Sequence, residues 1–207
     1  MATKRRATAV RKRQIVDTAR KMITKYGSEH VTVRKIARQV GISEAAVYRH
    51  FQSKRDILSV LVEDIEQMWE REIKESESNE TVERLAKLLS NRVSTAEQKG
   101  GVSFQVLAEI ISLGDKRLNR QASHVVESYI EHISGIIAEG IRNGEFKKDL
   151  DAESTAFIFY SLIQGLVFTW NLSNSGFNLN ARYNPCWNIL HDAFVIDTPK
   201  NRTKRNE

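Results

Sequence analysis

The chain has 207 residues, 41% of them hydrophobic and 28% charged, with 2 Pro, 10 Gly and one cysteine, Cys186. That length can bury a real core in one large or two small domains, and the composition fits a folded soluble protein, not a disordered one. The single cysteine excludes an intramolecular disulfide framework and a cysteine-only zinc site, and points to a reduced, cytoplasmic setting. Net charge is +6, unevenly placed: residues 1–55 hold 15 Lys/Arg against 3 Asp/Glu, and residues 56–207 hold 17 against 23. A quarter of the chain thus carries all the net positive charge. This points to an anionic polymer or surface bound at that end, or to a solvated basic face.

The pattern is helical nearly everywhere and predicts an all-α fold of about nine helices. The N-terminus is basic but has no apolar stretch behind Arg5 and Arg6, so it does not read as a signal peptide. Ile15, Ala19, Met22, Ile23 and Tyr26 fall at helical spacing and predict a first helix over about 8–26, with Gly27 placed to stop it. Val33, Ile36, Ala37 and Val40 mark a short second helix that Gly41 ends. Ser43 is placed to cap a third, over about 44–50, with Val47 and Phe51 facing inward. Ser53 and Asp56 read as a capping box for a long fourth helix, striped by Ile57, Leu58, Leu61, Ile65, Met68 and Trp69. The polar stretch 75–80 predicts a loop. A fifth helix follows on Val82, Leu85, Leu88, Leu89 and Val93, broken at Gly100-Gly101, and a sixth on Phe104, Leu107, Ile110 and Ile111. A long seventh runs from Leu118 to Ile141 and is closed by Gly144. Asp151 is placed to cap an eighth over about 152–172. After a polar connection from Asn171 to Asn180, Asn184-Pro185 is expected to start the ninth. Strict apolar alternation is missing, so no strand is expected. Residues 198–207 carry no apolar side chain and read as a disordered basic tail.

The eighth helix is apolar around nearly its whole circumference. Ser161, Gln164, Gly165 and Thr169 interrupt residues 156–170, so the segment is read as no membrane span. A helix apolar all round is buried on both sides, one by its own core and the other by a partner. The ninth helix has Trp187, Leu190 and Phe194 on one side and Ile189, Ala193 and Ile196 on another. Two such helices from each of two chains make a four-helix interface. A homodimer through the eighth and ninth helices is therefore expected, the alternative being two central helices of a monomer.

Residues 32–51, Thr-Val-Arg-Lys-Ile-Ala-Arg-Gln-Val-Gly-Ile-Ser-Glu-Ala-Ala-Val-Tyr-Arg-His-Phe, have the grammar of a helix-turn-helix. Ala37 is small enough for two helices to approach, Gly41 stands where the turn demands positive φ, and Val47 plugs the angle above Ile36 and Val40. Ser43 starts the helix that enters the major groove in this motif. Residues 10–62 resemble the DNA-binding domain of the tetracycline-repressor (TetR) family of transcriptional regulators. The residues that carry the resemblance are Thr32, Ile36-Ala37, Gly41-Ile42-Ser43, Ala46, Val47-Tyr48, His50-Phe51, Ser53-Lys54 and Ile57-Leu58. The rest resembles the family in layout only.

The resemblance implies a three-part map: 1–55, a helix-turn-helix domain with a basic arm; 56–197, an effector-binding and dimerisation domain; and 198–207, the tail. It places Tyr48 and His50 against phosphates. Lys54, at the start of the fourth helix, and Thr32, at the second, are further phosphate contacts, which fix position without reading sequence. Where the family often carries Thr or Ser this chain has Val33, whose side chain cannot bond a phosphate. Base reading falls to Ala45 and Ala46, whose methyls suit thymine, to Arg49, which can fork onto guanine, and to Glu44, which can accept from cytosine or simply stabilise the helix start. Arg34, Lys35 and Arg38 either touch the backbone or are solvated. Lys4, Arg5, Arg6, Arg11, Lys12 and Arg13 form a basic arm, either for the minor groove or as a solvated tail.

The resemblance also implies a C-terminal pocket for a small effector that changes the spacing of two recognition helices. The candidate lining is Trp69, Phe104, Leu107, Ile111, Val125, Tyr129, Phe159, Ile163, Gln164 and Trp170; all but Gln164, a polar group able to orient a ligand, are also ordinary core positions. Few charges interrupt these helices, so an apolar or aromatic effector, acyl-bearing among the options, is expected. His124, Glu127 and Glu131 share a helix face and either bind a metal or form a solvated face. No nucleophilic triad, phosphate loop or His-Glu-x-x-His occurs, so no enzyme activity, cofactor or metal is expected. The reading is a homodimeric repressor released by its effector from a pseudo-palindromic operator on double-stranded DNA. The alternatives are an effector-independent DNA-binding activator or architectural protein, and an all-helical enzyme or metalloprotein.

Overall fold

The computed structural model describes residues 2–26 and 31–196, with side chains from Arg6 onward. Gly27 and the 198–207 tail lie outside the described residues. Nine helices run through them: α1 (Ala2–Tyr26), α2 (Val33–Val40), α3 (Glu44–Tyr48), α4 (Lys54–Glu75), α5 (Thr81–Gln98), α6 (Val102–Leu113), α7 (Lys116–Arg142), α8 (Ala152–Leu172) and α9 (Leu179–Phe194). Among the described residues there is no strand, only an isolated antiparallel bridge between Phe146 and Val195.

Local chemistry sets most of the boundaries. Thr32, Ser43, Asp151 and Asn178 each accept a hydrogen bond from the amide three residues on, at 3.2, 3.1, 2.7 and 2.6 Å. Ser53 and Asp56 form the reciprocal box, the Ser53 amide donating to the Asp56 carboxylate and the Asp56 amide to the Ser53 hydroxyl. Two helix starts differ from expectation by more than a turn. The first helix begins at Ala2, not near residue 8, because the arm has no Gly or Pro and its Ala, Lys and Arg are good helix formers. The ninth begins at Leu179, so Pro185 lies inside it. Here Asn178 caps the helix, and Glu97 accepts from the Leu179 amide at 2.6 Å and the Asn180 side chain at 2.7 Å.

The backbone separates into two compact units, residues 1–68 with 99–125 and residues 69–98 with 126–207. The first is built on Ile15, Ala19 and Ile23 of α1, Ile36 and Ala37 of α2, Val47 of α3, Leu58 and Leu61 of α4, and Val106 and Ile110 of α6, all buried. Asp64 takes both Arg13, at 2.7 Å, and Arg20, which pins α1 to α4. Ser59 and Gln121 exchange two hydrogen bonds, and Arg55 pairs with Asp115 at 3.2 Å.

The second unit buries Leu85, Leu88, Leu89 and Val93 of α5, Ile133, Ile136 and Ile137 of α7, and Ala156, Phe159, Ile163, Val167 and Trp170 of α8. Phe159 meets Trp187 and Phe194 with ring centroids 5.9 and 5.6 Å apart, so the side of α9 that carries these two rings faces the core. The other side of α8 is uncovered: Phe157, Ile158, Phe168 and Leu172 are exposed, as is Ile189 of α9. By length and composition alone α8 is long and apolar enough to cross a membrane, a test that buried core helices also pass. Its four interrupting residues are all uncharged and leave its mean hydropathy high. They therefore do not exclude a span, contrary to the sequence reading.

Two glycines of α7 make a matched test. A Cβ on Gly140 would fall 2.1 Å from Phe146 and 2.7 Å from the Thr81 hydroxyl, whereas one on Gly135 meets nothing within 4 Å. Gly135→Ala should stabilise by about 1 kcal/mol, the helix-propensity gain. Gly140→Ala should destabilise, because overpacking of about 1–3 kcal/mol outweighs that gain. Urea denaturation of the two variants measures both signs.

Candidate nucleic-acid interface

The turn between α2 and α3 depends on one torsion. Gly41 has φ +77°, the left-handed region, and its amide closes α2 by donating to the carbonyls of Ala37 and Arg38. An added Cβ there meets nothing within 4 Å, so glycine is required by conformation and not by space. The Ile42 amide then bonds the Ala37 carbonyl at 3.0 Å and turns the chain. Val47 is fully buried with Ile36 and Ala37, while Val40 is only half-buried.

The third helix ends at Tyr48, two residues earlier than expected. The His50 amide bonds Val47, three residues back, at 2.8 Å and tightens the last turn so that Phe51 enters the core. This leaves Ser43, Glu44, Ala45, Tyr48 and Arg49 exposed, with Ala46 and His50 half-buried. Thr32 is exposed beside half-buried Val33. Thr32 and Ser43 use an oxygen lone pair to accept the capping bond, so each hydroxyl proton remains available to an anionic oxygen. Glu44 lies 3.7 Å from Arg34, both side chains well exposed, and puts negative charge on the first turn of α3.

Two basic residues have partners that periodicity does not reveal. Lys54 lies 2.5 Å from Glu109 of α6, whose side chain is only 8% exposed. Arg13 is held by Asp64 and Asp17, and the Asp64 hydrogen bond in particular raises its already high pKa. Arg13 is thus a strut between α1 and α4, and not a free member of the basic arm. Lys12 sits over the Phe51 ring at 5.8 Å. The Lys4 and Arg5 side chains lie outside the described residues.

The ten residues expected to line a pocket divide between the units. Phe104, Leu107 and Val125 are half-buried or buried in the first. Ile111 is 75% exposed there, so it points outward and lines no interior. Trp69, Tyr129, Phe159, Ile163 and Trp170 are buried in the second, with Gln164 half-buried. Beside them lies a pair the sequence reading missed: Glu72 and Arg92, 3.8 Å apart, each side chain 5% exposed. The signal was present, since Arg92 stands on the same stripe as Leu85, Leu88 and Leu89, and Glu72 one turn beyond Met68 and Trp69. His124, Glu127 and Glu131 are all exposed, and no cluster of three or more potential metal ligands occurs among the described residues.

The motif geometry agrees with the family comparisons. Residues 15–61 match the model described as bacterial regulatory proteins, tetR family, and residues 54–193 match the model of the C-terminal region of YsiA-like proteins. The chain belongs to the TetR family. It is a DNA-binding transcriptional regulator with the family's helix-turn-helix at its N-terminus and an all-helical remainder. Among curated relatives, the fatty acid metabolism regulator protein of Bacillus subtilis is 29% identical over 182 residues, spanning 86% of this chain and 92% of the relative. The nucleoid occlusion factor SlmA of Shewanella pealeana is 26% identical over 188 residues, 89% and 95% of the two chains. Among solved structures, the transcriptional regulator FadR from Bacillus subtilis in complex with stearoyl-CoA superposes with a TM-score of 0.75 at 27% identity. That match covers 86% of this chain and 96% of the other.

Proposed function

We propose that this TetR-family regulator is a homodimeric repressor, released from a pseudo-palindromic operator when its C-terminal helices bind a long-chain acyl-CoA. The observation that carries the reading is the match, over almost the whole of both chains, to a FadR that holds stearoyl-CoA. The expectation of an apolar effector thereby narrows to an acyl thioester. The uncovered stripe of α8, Phe157, Ser161, Gly165, Phe168 and Leu172, falls on one helical face, and Ile189 and Ala193 of α9 are likewise exposed. Large apolar groups alternating with Ser and Gly suit close packing against the same helices of a second copy.

On DNA, Thr32, Tyr48, His50 and Lys54 position the protein on phosphates, with Ser43 and Val33 at the two helix starts. Ala45, Ala46 and Arg49 read bases, and Glu44, already facing Arg34, stabilises the helix start. Specific sites should bind about 10³- to 10⁷-fold tighter than random DNA. The relatives named as nucleoid occlusion factors have a role other than metabolic regulation, and the second reading is an effector-independent DNA-binding activator or architectural protein.

Anisotropy with the DNA flanking the gene, titrated with stearoyl-CoA, separates the two readings. Release near stoichiometric ligand, with a higher Tm, is expected; unchanged binding at saturating stearoyl-CoA would leave the effector-independent reading. Glu109 competes with phosphate for Lys54. Lys54→Met should therefore weaken binding to every sequence and lower the salt slope by about 1 per subunit, while Glu109→Gln should tighten binding uniformly. Changes of the same sign in both variants would show the pair to be structural only. For the interface, Phe157→Asp combined with Ile189→Asp should give a folded monomer by sedimentation and circular dichroism, with loss of operator affinity. A variant that remains dimeric would place the interface elsewhere.

A further inference from the structure

The core of the second unit is not purely apolar. Trp69 and Glu72 from α4, Arg92 from α5, Tyr129 from α7, Tyr160 from α8 and Tyr183 from α9 converge there. The Arg92 guanidinium carbon stands 4.5 Å from the centre of the Trp69 ring, and the Tyr129 and Tyr160 rings are 4.9 and 6.4 Å from it. Arg92 and Glu72 approach to 3.8 Å, beyond hydrogen-bond distance. Trp69 Nε1, Tyr129 Oη, Tyr183 Oη and Arg92 Nη1 have no hydrogen-bond partner among the described residues, and all four side chains are more than nine-tenths buried. Burying such donors without an acceptor costs free energy, and one isolated case can be a tolerated defect. Four around one aromatic centre form a donor-rich site.

The charge of the cluster selects its occupant. Arg92 and Glu72 cancel. Burial pushes the Tyr129 and Tyr183 hydroxyls well above their ordinary range, so both stay protonated donors; for Tyr129 the nearby Glu72 adds to the shift and Arg92 opposes it. The site is therefore neutral, and its one carboxylate, Glu72, accepts from none of the four donors. A hydrocarbon chain would leave every donor unbonded, and a free carboxylate would bring a negative charge against Glu72. A neutral carbonyl oxygen satisfies the donors without either cost. We propose that this cluster is a polar anchor for the carbonyl of an acyl thioester, with Tyr129 as a direct donor. The unit then distinguishes an activated acyl group from a hydrocarbon or a free fatty acid. The proposal rests on the acyl-CoA reading above and adds the residues that recognise the thioester.

Calorimetric titration of the full-length protein with three probes tests it: stearoyl-CoA, free stearate, and S-octadecyl-CoA, a thioether that lacks only the carbonyl oxygen. The wild type should bind stearoyl-CoA about five- to tenfold tighter than the thioether, the value of one hydrogen bond. Tyr129→Phe should lose that preference, bind the thioether unchanged, and show an equal or higher Tm without ligand. Equal wild-type binding of thioester and thioether, or equal weakening of both by Tyr129→Phe, would overturn the anchor and leave the acyl-CoA reading intact. Stearate bound more tightly than stearoyl-CoA would overturn the preference for a neutral carbonyl. If neither coenzyme A compound binds, the acyl-CoA reading falls and the anchor with it.

Discussion

At Gly41 a single backbone torsion of +77° aims α3. The Ala37 and Arg38 carbonyls that would otherwise be left open at the end of α2 are closed by the Gly41 amide, and Ile42 adds a second bond to Ala37. This turn brings Val47 into the angle between the helices, and Val47 in turn orients the exposed face of α3. An L-residue at this position would be strained by roughly 1–2 kcal/mol. The exposed residues Tyr48 and Arg49 make no such contribution, so the direction in which they point is set entirely by the buried residues behind them.

The fold was legible where information is local. Thr32, Ser43, Ser53 with Asp56, and Asp151 all cap as their side chains and spacing indicate, because a cap needs only an amide three residues on. The ninth helix shows the limit of local reading. Asn184-Pro185 fits a helix start locally, yet the helix begins six residues earlier, where Glu97, more than eighty residues before it, accepts from the Leu179 amide. The candidate site divides in the same way. The exposed face of α3 could be read from its motif, whereas Glu109 beside Lys54 and Asp64 beside Arg13 depend on tertiary packing. The Glu72–Arg92 pair lay between these cases: two charges on apolar stripes were visible, but not that they meet.

That pair also changes the character of the second unit. A buried ion pair is weak evidence for stability, since removing two charges from water costs about as much as their attraction returns. Here the pair is loose, and Arg92 directs part of its charge onto the face of Trp69. An interior built only for stability would be better served by aliphatic side chains of the same volume. Two buried charges and three tyrosines alter the local polarity more than the scarcity of charges along these helices indicates.

Thr32 and Ser43 each cap a helix through the same hydroxyl that faces outward, so folding and any surface contact share one atom. Ala45 and Arg49 stand on the exposed face and add nothing to the core. Selection can therefore exchange residues at 45 and 49 without endangering the domain, while 32 and 43 are constrained by structure before any partner is considered. A lineage of such proteins can acquire new surface preferences by drift at the first pair of positions while the scaffold that presents them stays unchanged.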